Sequence, residues 1–256
     1  MTILVTGGTR GLGKAIADRL AASGHRVVIV ARDEGDGPLY GDLSRIDDVR
    51  RIAQEAATRY PDLDVLVNNA GVSKVTHEVT ADGLETTFAT NYMAPVLLSN
   101  LLLPVLARNR GAVVNIGSEQ HRWVRAIPWE DLQGERHFRP IEQYSLTKLY
   151  LVLFTRELAR RAPDVVVSCV SPGFLRTDLG REARGAFRVF LTLARPFQRP
   201  AAQGAEAVMS AMDQRVTGAY FRGMRQLAPS KLAQDEAAAA RLWELSADLL
   251  QLPQLG

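Results

Sequence analysis

The sequence predicts an α/β protein built on one doubly wound parallel sheet. Two observations carry that expectation. Short β-rich runs alternate with amphipathic stretches along the whole of the 256 residues. The first run, Ile3-Leu4-Val5, passes directly into a glycine-rich turn and then into a helical pattern. Neither an internal repeat nor a linker divides the chain, so residues 1–256 read as a single domain. A hydrophobic share of 46% beside 23% charged residues is enough for one sizeable core. The net charge of +3 comes from 31 basic and 28 acidic residues, scattered along the chain, which leaves no nucleic-acid footprint.

Taken in order, Thr6-Gly7-Gly8-Thr9-Arg10-Gly11-Leu12-Gly13 joins the first strand to a helix running through Leu20. Glycines let a backbone approach a pyrophosphate, and a helix N-terminus offers free N–H groups and partial positive charge. A plain tight turn would show the same local pattern, but its place after an N-terminal strand favours a dinucleotide. Arg26 to Ala31 is the second strand, whose end meets an adenine ribose in folds of this kind. An acid there would favour NAD. Here Arg32 follows, and Arg32 with Arg10 brackets a 2′-phosphate, which points to NADP(H) over NAD(H). Two merely solvated arginines are the alternative.

Asp33 to Tyr40 holds Gly35, Gly37 and Pro38 and is too broken for a helix. The third strand is then a stub near Leu39 to Leu43, reached through a loop. Ser44 is expected to cap a helix from Ile46 to Arg59, with Asp47 and Asp48 in its first turn. Val65-Leu66-Val67 is the fourth strand, and Asn68-Asn69-Ala70-Gly71 at its end suits close approach to a ligand. Leu84 to Leu106 reads as one long helix, with Asn91 out of place among apolar neighbours. Ala112 to Ile116 is the fifth strand, closed by Gly117-Ser118. Residues 119–143 form a long polar and aromatic insert, a length that usually serves binding. His121 and His137 within it read as surface histidines, and no metal site is indicated.

Val165 to Val170 is the sixth strand, and buries the only cysteine, Cys169, as an inert thiol. Residues 174–200 mix Phe174, Phe187, Phe190 and Phe197 with arginines and read as an apolar flap, a membrane-surface helix being the alternative. Gln203 to Met212 is a helix, Gly218 to Phe221 a last strand, about the seventh, and Gln234 to Leu250 a closing helix. The chain opens without a signal-peptide pattern, and the apolar run from Met93 to Leu106 is interrupted by Pro95 and Pro104. A cytoplasmic protein with no integral membrane segment is therefore expected.

Tyr144-Ser145-Leu146-Thr147-Lys148 carries the chemistry. A phenol and an ammonium four residues apart lie on one helix face, and a fixed cation favours the phenolate. Alone, the pair is as easily a solvated Lys beside a half-buried Tyr. Set with Thr6-Gly7-x-x-x-Gly11-x-Gly13, Asp42-Leu43, Asn68-Asn69-Ala70-Gly71, Asn91, Ser118 and Pro172-Gly173-x-x-x-Thr177, it resembles the short-chain dehydrogenase/reductase family over essentially the full length. Trp129-Glu130-Asp131-Leu132-Gln133-Gly134-Glu135, Leu153 to Arg161 and Arg241-Leu242-Trp243-Glu244 are similar to its retinol-dehydrogenase-like branch.

The resemblance implies a Rossmann-type fold and hydride transfer between a nicotinamide and a lipophilic alcohol, aldehyde or ketone. It implies Tyr144 as general acid/base and Ser118 as donor to the substrate oxygen. Lys148 would lower the phenol pKa and hold a ribose, and Asn91 would anchor a relay water. It places Gly7, Thr9, Arg10, Gly11, Leu12, Gly13, Arg32, Asp42, Leu43, Asn69, Ala70, Gly71, Pro172, Gly173 and Thr177 on the cofactor. A homodimer or tetramer through the two long helices is implied as well. Two further readings stay open: a redox-neutral reaction using bound NADP(H), and an NADP(H)-sensing protein.

Overall fold

The computed structural model describes residues 1–35, 37–173 and 200–252. The described residues form one eight-stranded sheet in the order β3-β2-β1-β4-β5-β6-β7-β8. Its strands are β1 Thr2–Thr6, β2 Arg26–Ala31, β3 Leu39–Tyr40, β4 Leu63–Asn68, β5 Ala112–Ile116, β6 Val166–Ser171, β7 Ala219–Arg222 and β8 Arg225–Leu227. The first seven run parallel. β8 returns antiparallel on β7 and takes the count past the seven expected. Its three residues are all exposed, so it carries no apolar alternation to betray it.

Side-chain alternation along the strands builds a core on each face of the sheet. Leu4, Leu66 and Val113 face one cluster, while Ile3, Val5, Val65, Val67 and Val114 face the other. Helices α1 Gly11–Ala22 and α6 Ala201–Gln214 cover the second cluster. The first is covered by α2 Ile46–Arg59, α4 Ala94–Arg108, α5 Pro140–Arg161 and α7 Glu236–Leu250. The crossover between β2 and β3 is a loop, as the glycines and proline require.

Three details depart from the pattern. The stretch expected as one helix from Leu84 opens as a short helix, α3 Thr86–Phe88, passes through a π-helical turn at Ala89–Met93, and becomes α4. Asn91 lies in that turn, where a wider backbone loop suits a side chain that competes for backbone partners. The whole run from Thr86 to Arg108 is apolar enough and long enough to cross a membrane, but most of it is buried in this core. Ser44 does not cap α2: its hydroxyl donates to Asp42 Oδ1 at 2.8 Å, and the Ile46 N–H is met by the Asp82 carboxylate at 2.8 Å instead.

The last helix is tied to the rest of the chain at several points. Trp243 of α7 stacks on Phe154 of α5 at 5.7 Å between centroids, Arg161 lies over the Trp243 ring, and Ser246 hydrogen-bonds the Tyr92 hydroxyl at 2.8 Å. Arg50 of α2 also donates to the Leu250 carbonyl.

Candidate active site

Strands β1, β4, β5 and β6 end on one edge of the sheet, and the strand order reverses direction between β1 and β4. Open α/β sheets bind ligands in the crevice at such a point. Thr6 and Asn69 knit the crevice together. The Thr6 hydroxyl accepts from the Asn69 and Ala70 N–H groups at 2.9 and 3.0 Å, and Asn69 Nδ2 donates to the Thr6 carbonyl at 2.8 Å. The Gly7 N–H reaches back to the Val30 carbonyl of β2 at 2.9 Å, which sets the turn against the strand leading to Arg32.

The glycine turn is built for close approach. Gly7 holds φ +66°, a region that suits glycine. A Cβ on Gly13 would lie 2.1 Å from the Gly7 carbonyl oxygen and 2.4 Å from Asn69 Nδ2, so helix and turn pack with no room for a side chain. Arg10 is the N-cap residue of α1 but makes no capping bond, and the first turn of α1 holds no acid. Its N–H groups are thus left to an anion, and the residues present fit a dinucleotide pyrophosphate. Thr9, Arg10, Gly11 and Arg32 are exposed around it, whereas Leu12 and Gly13 are buried under it. Asp42 is exposed beyond β3 and Leu43 half-buried beside it, but one Asp42 oxygen already serves Ser44.

Across the crevice, α5 presents Tyr144 and Lys148 one turn apart. Ser118, just past the end of β5, lies beside the Tyr144 phenol and favours its ionised form. The Ser118 hydroxyl also accepts from the Gln120 N–H at 3.2 Å, which helps to aim its own proton. Lys148 Nζ donates to the Ile116 carbonyl at 2.8 Å and lies 5.6 Å from the centre of the Tyr144 ring. Gly71 keeps the space near it open: a Cβ there would come within 3.3 Å of Asn91 Oδ1 and 3.9 Å of Lys148 Nζ. Pro172 is buried and Gly173 turns away from β6 at φ +91°, while Thr177 and the expected flap lie outside the described residues.

Two expectations need correction here. Lys148 does not bring the phenol down: burial pushes Tyr144 up to about 12, against a smaller lowering by Ser118. Burial instead lowers Lys148 to about 8, opposed by the thiol of Cys169. Desolvation is the largest cause of both shifts. His121 is no surface residue, since it is fully buried between β7 and the Ser118 loop. His137 is exposed as expected.

Asn91 is brought to the site, but its carboxamide is already engaged. Oδ1 accepts from the Val72 N–H and Nδ2 donates to the Val72 carbonyl, both at 2.8 Å, with Thr147 Oγ1 at 3.3 Å. It clamps the loop after β4 to the α5 face that carries Lys148. A second clamp lay hidden in the sequence. Buried Glu85 caps the Thr87 and Phe88 N–H groups at 2.8 and 2.7 Å, accepts from Gln143 at 3.3 Å, and gives its own N–H to Gln133 at 2.9 Å. This ties the insert to the residue before Tyr144.

Comparison with known proteins agrees with this geometry. A family profile described as short chain dehydrogenase matches residues 1–186. Retinol dehydrogenase 13 of Mus musculus is 34% identical over 98% of this chain and 84% of its own length. A Streptomyces protein named "Putative daunorubicin C-13 ketoreductase DnrU" is 33% identical over 96% of this chain and 91% of its own. Among solved structures, one from Mycobacterium paratuberculosis superposes with a TM-score of 0.81 at 29% identity, covering 100% of this chain and 94% of that one. The 3-alpha-hydroxysteroid dehydrogenase of Pseudomonas sp. B-0831, solved with NADH, shares the fold at a TM-score of 0.73 and 24% identity, covering 87% of this chain and 94% of that one.

Proposed function

The chain belongs to the short chain dehydrogenase family, oxidoreductases that bind a nicotinamide cofactor and act on alcohols and carbonyls, and on that premise we propose that it is an NADP(H)-preferring reductase of lipophilic aldehydes or ketones. The convergence of Ser118, Tyr144 and Lys148, with Lys148 Nζ 5.6 Å from the centre of the Tyr144 ring, carries this reading. The glycine turn, the open N-terminus of α1, Ala70-Gly71 and Lys148 would hold the cofactor, which supplies or accepts a hydride when bound.

This chain's own residues do the rest. Tyr144, raised to about 12, is protonated at neutral pH and is poised to give its proton to a developing alkoxide. Ser118 donates to the same oxygen and stabilises charge as it builds. Lys148, buried and near its own titration point, responds to any anion or ribose hydroxyl brought beside it.

Two features support NADP(H). Arg32 follows β2 directly, and Arg32 and Arg10 of the glycine turn are both exposed. A guanidinium fork suits a 2′-phosphate. The lipophilic substrate is inferred from the aromatic residues of the insert and from the relatives, whose names refer to retinol and to a daunorubicin C-13 ketoreductase. Purified protein incubated with NADPH and a panel of lipophilic aldehydes and ketones tests the proposal through loss of nicotinamide absorbance. Turnover supports it; tight NADPH binding with no oxidation across the panel favours redox-neutral use of the cofactor.

A further inference from the structure

One buried histidine joins two segments that the reaction as described does not connect. His121 sits in the 3₁₀ turn Glu119–Trp123, directly after Ser118, and is fully buried. Its Nδ1 lies 2.7 Å from the Ser118 carbonyl oxygen. Its Nε2 accepts from the Ser230 N–H at 3.1 Å. A backbone N–H can only donate, so Nε2 is bare and the ring proton is on Nδ1, donating to Ser118. The tautomer follows from the partners.

The surroundings hold the ring in place. Tyr220 of β7 packs edge-on at 4.9 Å between centroids, and its hydroxyl hydrogen-bonds the Glu119 carboxylate. Arg122 and Arg222 pair with that carboxylate at 3.4 and 3.6 Å, and Arg122 also donates to the Ala228 carbonyl at 2.6 Å. The Ser118 carbonyl receives a second bond from the His121 backbone N–H at 3.2 Å. Both bonds fix the peptide that aims the Ser118 hydroxyl at Tyr144.

We propose that His121 is a positioning residue for the reaction: Nδ1 holds Ser118 in register with Tyr144, and Nε2 ties that loop to the C-terminal segment at Ser230. The proposal rests on Ser118 acting on the substrate oxygen.

The two nitrogens can be separated by substitution. An Asn amide reaches the Nδ1 position, and a Gln amide reaches the Nε2 position. His121→Ala, His121→Asn, His121→Gln and Ser118→Ala are compared by peptide-level amide exchange without substrate, then by NADPH oxidation with the best carbonyl of the panel. His121→Ala should speed exchange at both residues 119–123 and the Ser230 amide. His121→Asn should restore protection only at 119–123, and His121→Gln only at Ser230. In turnover, His121→Ala and His121→Gln should lower kcat by about tenfold or more with the NADPH KM held, because small misplacement of a reacting group is costly. His121→Asn should recover most of kcat.

Equal exchange at both segments in all three His121 variants overturns the proposal, as does kcat that tracks thermal stability rather than the Nδ1 position. If Ser118→Ala keeps full kcat, the functional reading fails at Ser118 itself. If Ser118→Ala loses kcat while His121→Gln does not, only the positioning role fails.

Discussion

Replacing Lys148 by Met should flatten the dependence of stability on alkaline pH. Lys148 is only 5% exposed, so solvent does little to screen its charge. Burial brings it from an ordinary 10.5 to about 8. The folded state therefore binds the Lys148 proton less readily than the unfolded chain does, and stability rises as pH climbs between those two values. The full effect is about 3 kcal/mol, most of it between pH 7 and 10. Tyr144 and Cys169, both raised to about 12, lower stability as pH climbs past their ordinary values, but they do so in both proteins and cancel in the difference. Met fills a similar volume without a charge, at the cost of leaving the Ile116 carbonyl unpaired, a penalty of about 1–3 kcal/mol that does not vary with pH. Urea unfolding at pH 7, 8, 9 and 10 should show the wild type gaining about 2–3 kcal/mol on Lys148→Met. Parallel curves for the two proteins would refute a desolvated ammonium at this position. The variant should also lose turnover, so the charge is held for function at the expense of stability.

Other outcomes follow from the same geometry. Arg32→Ala should weaken NADPH by about ten- to a hundredfold, the scale of a charge-assisted hydrogen bond, and leave NADH nearly unchanged; equal losses in fluorescence titrations with both cofactors would remove the 2′-phosphate assignment. Gly13→Ala places a methyl group 2.1 Å from the Gly7 carbonyl and should cost about 1–3 kcal/mol in urea unfolding as well as NADPH affinity. Unperturbed stability there would mean that the turn packs more loosely than described. Burial, aided by the Arg122 charge and opposed by Ser118 and Glu119, lowers the pKa of His121 from its ordinary 6.5. The folded state favours the neutral ring, so stability falls as pH drops below 6.5. The wild type should lose more stability than His121→Gln between pH 7 and 5, with Tyr220, Arg122 and Arg222 unchanged; an equal loss would contradict a buried neutral imidazole.

Much of the fold and site was legible because it is locally encoded. Strand, glycine turn and helix follow one another within Ile3 to Leu20, and Tyr144 and Lys148 share a helix face by spacing alone. The strand runs are short, continuous and apolar, so the strands could be placed but their two faces could not be told apart. What escaped is encoded at a distance. His121 is buried only because Ser230, 109 positions away, and Tyr220 close around it. Glu85 reads as a surface acid until Gln133 and Gln143 arrive. Ser44 has the right chemistry for a cap, yet Asp42 competes for its hydroxyl and Asp82 takes its place. The direction of the Tyr144 shift also lay beyond the pattern, since proximity of a cation is visible in sequence and depth of burial is not.

The claim that Tyr144 is the acid is tested most directly by NADPH oxidation with Tyr144→Phe, run beside NADPH binding to the same protein. Removing a general acid costs about 10²–10⁴ in rate. The account predicts a loss on that scale with NADPH affinity held. Turnover kept near the wild-type rate, with NADPH still bound, would contradict it.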